Sequence, residues 1–124
     1  MPLLLVVDDE PAVLTFLANA LRIRGYDHVL AEDGERDLAL FLKLRDVTSL
    51  VITDASMPRM IGPRMVEEIR KLDSAVPIMF ITGFSPGFVI PPEMMQACAS
   101  LKKPFTTAAF FRLVEHCLKG GTIG

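Results

Sequence analysis

Asp54 follows the run Val51-Ile52-Thr53 directly, and Ala55-Ser56-Met57-Pro58 breaks the run behind it. A short buried strand ending in a carboxylate is costly, because an unpaired buried acid loses several kcal/mol or more of hydration. Taken alone, such an aspartate reads as a helix N-cap or a turn residue. Comparable groups recur at matching places. Asp8 and Asp9 follow the apolar run Leu3 to Val7, Thr82 follows Ile78 to Ile81, and Lys103 follows a brief run from Cys98 to Lys102. If these ends meet, three carboxylates crowd together and repel one another unless a cation sits among them. An oxygen-only ligand set suits magnesium or manganese, whereas zinc calls for His or Cys. A metal, a carboxylate, a hydroxyl and a lysine together can transfer a phosphoryl group. Asp54 would attack phosphorus and form an acyl phosphate. The metal and Lys103 would neutralise charge on the equatorial oxygens, and Thr82 would donate a hydrogen bond to the attached group.

The elements that must position these residues read as β followed by α, five times. Leu3 to Val7 is continuously apolar, as in a strand buried on both faces. Pro11 suits a first helical turn, Val13, Leu14, Leu17, Ala18 and Leu21 mark an apolar face, and Gly25 stops the helix. The reading continues with a strand over His28 to Ala31, a turn at Asp33-Gly34, and a helix lined by Leu38, Phe41 and Leu42 that ends near Arg45. Leu50 to Thr53 is the third strand. A loop from Asp54 to Pro63 leads to a third helix over about Arg64 to Leu72, with Met65, Ile69 and Leu72 inward. Pro77 to Ile81 is the fourth strand. A proline-rich segment from Phe84 to Pro92 then precedes a short fourth helix to Ala97. Cys98 to Lys102 is the fifth strand. Thr106 or Thr107 caps a last helix packed by Phe110, Leu113, Val114 and Cys117. Short right-handed crossovers of this kind give a doubly wound α/β fold: a five-stranded parallel sheet in the flavodoxin-like order 2-1-3-4-5, with helices on both faces. In that order the first, third and fourth strands are neighbours, and their carboxyl ends share one crevice.

One hundred and twenty-four residues suit a single domain, here with its core over about residues 3–119. Hydrophobic residues make up 51% of the chain and mean hydropathy is +0.40, which argues against a disordered chain. The apolar runs are too short to span a bilayer, and no basic segment precedes the first of them, so neither a membrane span nor a signal peptide is expected. With net charge −2, and Lys102-Lys103 as the densest basic feature, direct nucleic-acid binding is not expected. Cys98 and Cys117 form no CxxC pattern and read as reduced, buried thiols of a cytoplasmic protein.

In its motifs the chain resembles the receiver domain of two-component response regulators. The matching pieces are Val7-Asp8-Asp9-Glu10-Pro11, Asp33-Gly34, Asp54 with Met57-Pro58 and Gly62, Thr82, and Lys103-Pro104-Phe105, in order over nearly the whole chain. The resemblance implies that Asp54 accepts phosphate from a histidine kinase or phosphotransfer protein. It implies that Asp8, Asp9, Asp54 and the backbone carbonyl of Ser56 organise magnesium, and that Thr82 and Lys103 are the switch hydroxyl and the family lysine. A homodimer through the fourth helix, fifth strand and fifth helix is a further implied option. Such a domain is a switch with two conformations rather than an enzyme with an external substrate. No effector segment is recognised, so a stand-alone receiver and a portion of a longer chain are both expected possibilities.

Several positions depart from the family pattern. Ser100 stands three residues before Lys103, where the family usually carries an aromatic or His that reports phosphorylation. Ile61 replaces a polar residue before Gly62, and Gly83 replaces a common Ala. The stretch from Thr82 to Lys103 is about one residue shorter than usual and is rebuilt with prolines. Ser56 and Phe84 lie two residues beyond Asp54 and Thr82, where side chains tune hydrolysis of the acyl phosphate; Phe84 either shields that group or simply packs against the loop. Phe88, Val89, Ile90, Met94 and Met95 form either core under a shortened helix or an apolar partner surface. A phosphorylation-independent interaction module on the same fold is the alternative function. A flavodoxin is disfavoured because Asp8-Asp9-Glu10 would repel a flavin phosphate, and a dehalogenase-type phosphatase because position 56 is Ser.

Overall fold

The computed structural model describes residues 2–32, 34–54, 69, 71, 75–83 and 97–120. The strands are β1 (Leu3–Val7), β2 (Asp27–Ala31), β3 (Thr48–Asp54), β4 (Ile78–Thr82) and β5 (Ala99–Lys102). The helices are α1 (Pro11–Ile23), α2 (Gly34–Leu44) and a C-terminal helix (Thr107–Leu118). All strand pairs are parallel and the sheet order is β2-β1-β3-β4-β5. The doubly wound expectation therefore holds.

Alternation along the strands divides the core between the two faces of the sheet. Leu4, Val6, Leu50, Ile52, Met79 and Ile81 face α1 and the C-terminal helix, which contribute Leu14, Leu17, Leu21, Phe110, Phe111 and Val114. Leu5, Val7, Val51, Ile78 and Phe80 face the other way, onto Phe41 of α2 and onto Ile69, Val76 and Ala97. The central strands are apolar on both faces because helices cover both. That burial leaves their carboxyl ends as the place where polar side chains can gather.

The helix ends follow from local chemistry. Gly25 adopts φ +80° after α1, and the Tyr26 N–H donates to the Leu21 carbonyl at 2.9 Å while the Gly25 N–H reaches Arg22. This Schellman closure needs a residue tolerant of the left-handed region. Thr106 caps the C-terminal helix, its hydroxyl accepting from the Ala109 N–H at 3.1 Å.

Some expectations change. β3 runs on through Asp54 and β4 through Thr82, because Asp54 pairs with Ile81 and Thr82 with Lys102 in register. Leu42 is exposed rather than part of the inner face of α2, since its neighbour Phe41 is fully buried and takes the sheet-facing position. Ala97 is buried but lies in a bend rather than a helix.

The larger correction concerns the cysteines. They are buried, as expected, but they are not separate thiols: Cys98 and Cys117 form a disulfide with their Cα atoms 5.3 Å apart. Packing of the C-terminal helix over the start of β5 brings together two residues 19 apart in sequence. Disulfides are rare in cytosolic proteins, so the cysteines no longer argue for that compartment. Among the described residues no helix is long and apolar enough to cross a membrane.

The loop after Asp54, the third helix apart from the helical Ile69 and Lys71, and the fourth helix before Ala97 lie outside the described residues. Asp33, Met57-Pro58, Ile61, Gly62, Phe88, Val89, Ile90, Met94 and Met95 lie outside them as well.

Candidate functional site

Asp8 continues the ladder beyond β1, its N–H donating to the Ala31 carbonyl at 3.2 Å, and its residue is fully buried. Oδ1 accepts from the Glu10 N–H at 2.9 Å. This turn two residues on is a common aspartate motif at a strand-to-helix junction, and it fixes the carboxylate at the end of the strand. Asp54 closes β3 and is 5% exposed. Lys103 follows β5, where its N–H donates to the Thr82 carbonyl at 2.7 Å and its peptide bond to Pro104 is cis.

The Lys103 ammonium enters the acidic cluster. Nζ donates to Asp54 Oδ2 at 3.1 Å and to Glu10 Oε1 at 2.9 Å, and stands 3.2 Å from Asp8 Oδ2. The last contact is an ion pair without hydrogen-bond angles. Asp8 Oδ2 is therefore a buried oxygen with no donor among the described residues. Carboxylate oxygens of Asp8, Asp9, Glu10 and Asp54 all lie within 4.8 Å of one another.

Four carboxylates against one ammonium leave a strongly negative crevice. Burial pushes the Asp8 carboxyl up to about 6; the Glu10 backbone bond opposes this, the Asp54 charge adds to it, and Lys103 pulls it back down. Burial alone would lower the Lys103 ammonium, but hydrogen bonds to Glu10 and Asp54 and the charges of Asp54 and Asp8 hold it above the usual lysine range. A hard divalent cation fits this donor set: the cluster offers only oxygen, carries excess negative charge and contains one buried oxygen lacking a donor.

The structure thus brings together Asp8, Asp9, Asp54 and Lys103. It sets Thr82 at the end of β4, half-buried, beside the strand that leads to Lys103. Ser100 is exposed on β5, in register with Phe80. Ser56 and Phe84 lie outside the described residues. Glu10 was missed as a site residue: as the last of three consecutive acids before Pro11 it reads as a helix N-terminal charge, and only the long-range approach of Lys103 reveals its role.

Comparison with known proteins agrees with this geometry. The family model described as the response regulator receiver domain matches residues 4–115. Among curated proteins, a probable transcriptional regulator ycf27 of Porphyridium aerugineum is 40% identical over 82 residues, covering 66% of this chain and 33% of the relative. The transcriptional regulatory protein GlrR of Escherichia coli K12 is 31% identical over 118 residues, covering 94% of this chain and 26% of the relative. The chain thus spans about a third or less of the length of these curated relatives. Among solved structures, a response regulator receiver domain protein from Clostridium thermocellum superposes with a TM-score of 0.88 at 25% identity, covering 97% of this chain and 96% of that one. The chemotaxis protein CheY4 of Vibrio cholerae superposes with a TM-score of 0.82 at 26% identity, covering 94% and 98%. The match runs from β1 into the C-terminal helix and includes every described residue of the acidic cluster and its lysine, so the chain belongs to the response regulator receiver domain family.

Proposed function

We propose that this chain is a phosphoacceptor switch of a two-component phosphorelay, with Asp54 as the residue that takes the phosphoryl group. The observation that carries the reading is the approach of Lys103 Nζ to Asp54 Oδ2 at 3.1 Å, beside the Asp8 carboxylate. The donor is a phosphohistidine on a histidine kinase or phosphotransfer protein. A carboxylate oxygen of Asp54 attacks phosphorus, the O–P bond forms, and the P–N bond breaks with its electron pair returning to the imidazole. Lys103 stabilises charge on the transferred oxygens, and Thr82 donates to one of them after transfer. Asp8, Asp9 and Asp54, with the Ser56 carbonyl, would hold a magnesium or manganese ion, which supplies positive charge where the anionic donor and the carboxylates meet. Ser56 and Phe84 tune the lifetime of the acyl phosphate.

Phosphorylation shifts the chain between two conformations, and a partner or an attached segment reads the change. With Ser100 exposed on β5, the report of phosphorylation does not pass through an aromatic ring at that position. The domain acts in the cytoplasm and turns over no external substrate.

Acetyl phosphate with magnesium, followed by intact-protein mass measurement, tests this reading. A magnesium-dependent phosphoryl adduct is expected, absent from Asp54→Asn. No adduct, or one that survives that substitution, would sink the assignment.

A further inference from the structure

Glu10 occupies the N-cap of α1, with φ −95° and ψ 111°, yet its side chain makes no capping hydrogen bond. Ser, Thr, Asp and Asn prevail at this position because their short side chains reach back to the N–H groups of the first turn. Glu10 leaves those groups alone and extends across the crevice. Its Oε1 accepts from Lys103 Nζ at 2.9 Å, between residues 93 apart in sequence, while its backbone N–H holds Asp8 Oδ1 at 2.9 Å. One residue therefore touches both the buried aspartate of β1 and the lysine.

An ammonium has three N–H donors. Glu10 and Asp54 occupy two of those of Lys103, and Asp8 Oδ2 faces it at 3.2 Å. Phosphoryl oxygens arriving at Asp54 need this ammonium and must draw it from partners it already has. The Glu10 side chain is 59% exposed, on the open side of the crevice, so its bond is the one that solvent most readily loosens.

We propose that Glu10 is a positioning residue that restrains Lys103 in the unphosphorylated state and thereby slows phosphoryl uptake. The inference rests on the phosphoacceptor reading of Asp54. Because the Glu10 side of the pair is largely exposed, the restraint is modest: its removal speeds uptake about two- to fivefold, the size of an exposed ion pair.

The test uses phosphoramidate and magnesium, with initial rates of Asp54 phosphorylation followed by mass. In this reaction the Asp54 O–P bond forms, the P–N bond breaks, and ammonia leaves with the electron pair. Glu10→Ala should react about two- to fivefold faster than the unsubstituted chain, with its overall fold unchanged by circular dichroism. In a Lys103→Ala background the same substitution should lose its effect, which a purely structural role or charge repulsion of the donor would not produce. A second measurement needs neither donor nor metal: the Lys103 ε-methylene and ammonium resonances should shift in Glu10→Ala. Unchanged resonances, an unchanged rate, or equal acceleration without Lys103 would each overturn the proposal. A chain that forms no adduct at all, while the Lys103 resonances still respond to Glu10, would instead overturn the phosphoacceptor reading and with it the kinetic role.

Discussion

Lys103 Nζ and Asp54 Oδ2 stand 3.1 Å apart across 49 residues of sequence. The contact is a product of strand order. β3, β4 and β5 lie side by side, Asp54 ends β3, and the Lys103 N–H is tied to the end of β4 through the Thr82 carbonyl. The parallel sheet thus delivers a carboxylate and an ammonium from its carboxyl edge without any local motif joining them. Lys103 supplies a fixed positive charge to a crevice in which Asp8 and Asp54 are nearly or wholly buried.

Removing that charge should expose the repulsion it suppresses. Lys103→Met is expected to lower stability by about 1 to 3 kcal/mol in EDTA, less than a fully buried pair would lose because the lysine keeps some contact with water. Magnesium should recover part of the loss, since a ligand that binds only the folded state stabilises it by mass action. Urea unfolding of both proteins with EDTA and with magnesium measures this. An unchanged midpoint in EDTA would mean that the carboxylates do not depend on Lys103.

Asp8 predicts a pH dependence of definite sign. Its carboxyl rises from the ordinary 3.8 to about 6 in the folded chain, chiefly through burial. Between those values the folded state binds more protons than the unfolded state, so the Asp8 contribution to stability falls as pH rises and levels off about one unit above the folded value. The full change is at most about 3 kcal/mol. In EDTA, somewhat less than half of this change, about 1 kcal/mol, should be lost between pH 5 and pH 7, and unfolding midpoints should drop accordingly. Magnesium, which favours the charged carboxylate, should add more stability at pH 7 than at pH 5. Equal magnesium effects at both values would contradict the placement of Asp8 among the ligands.

What could be read from the chain and what could not divide along a physical line. Continuous apolar runs ending in Asp8, Asp54 and Thr82 are local signals, and alternation of strands with helical faces leaves few topologies. The sheet order and the acidic crevice were legible for that reason. Glu10, Leu42 and the cysteine pair were not. The partner of Glu10 comes from a residue 93 positions away. Phe41 and Leu42 are adjacent apolar residues, and only the docking angle of α2 decides which one turns inward. Pairing of Cys98 with Cys117 depends on how the C-terminal helix lies over β5, which no spacing within either element encodes.

That helix also carries the largest predicted core effect. Phe110 is fully buried, stacked at 6.0 Å on Phe105 and meeting Phe111 edge-on at 5.2 Å. Phe110→Ala should cost about 3 to 5 kcal/mol, combining lost transfer energy with the cavity left behind. Ile23, equally apolar in sequence but 82% exposed at the end of α1, should change stability by no more than about 0.5 kcal/mol when replaced by Ala. Denaturant melts of the two variants check the contrast. Similar losses would mean that the C-terminal helix does not pack against the sheet through this ring.

Asp8→Asn should make the metal-free chain more stable while weakening its response to magnesium. The amide oxygen can keep the hydrogen bond that Asp8 Oδ1 accepts from the Glu10 N–H. The buried Oδ2, which has no donor among the described residues, becomes an NH2 group beside the Asp54 carboxylate. A buried charge is thus exchanged for a neutral donor next to an acid. The ion pair with Lys103 at 3.2 Å is lost in the exchange. Even with that pair present, however, the raised Asp8 carboxyl shows that the site disfavours the charge. The net gain is expected to be about 1 to 2 kcal/mol at pH 7 in EDTA, and the fall in midpoint between pH 5 and pH 7 should flatten. If Asp8 is one of the carboxylates that hold magnesium, as proposed, the ion should raise the melting temperature of this variant less than that of the unsubstituted chain. A destabilised Asp8→Asn protein, or one with an undiminished magnesium response, would show that the Asp8 charge stabilises the fold directly rather than waiting for a cation.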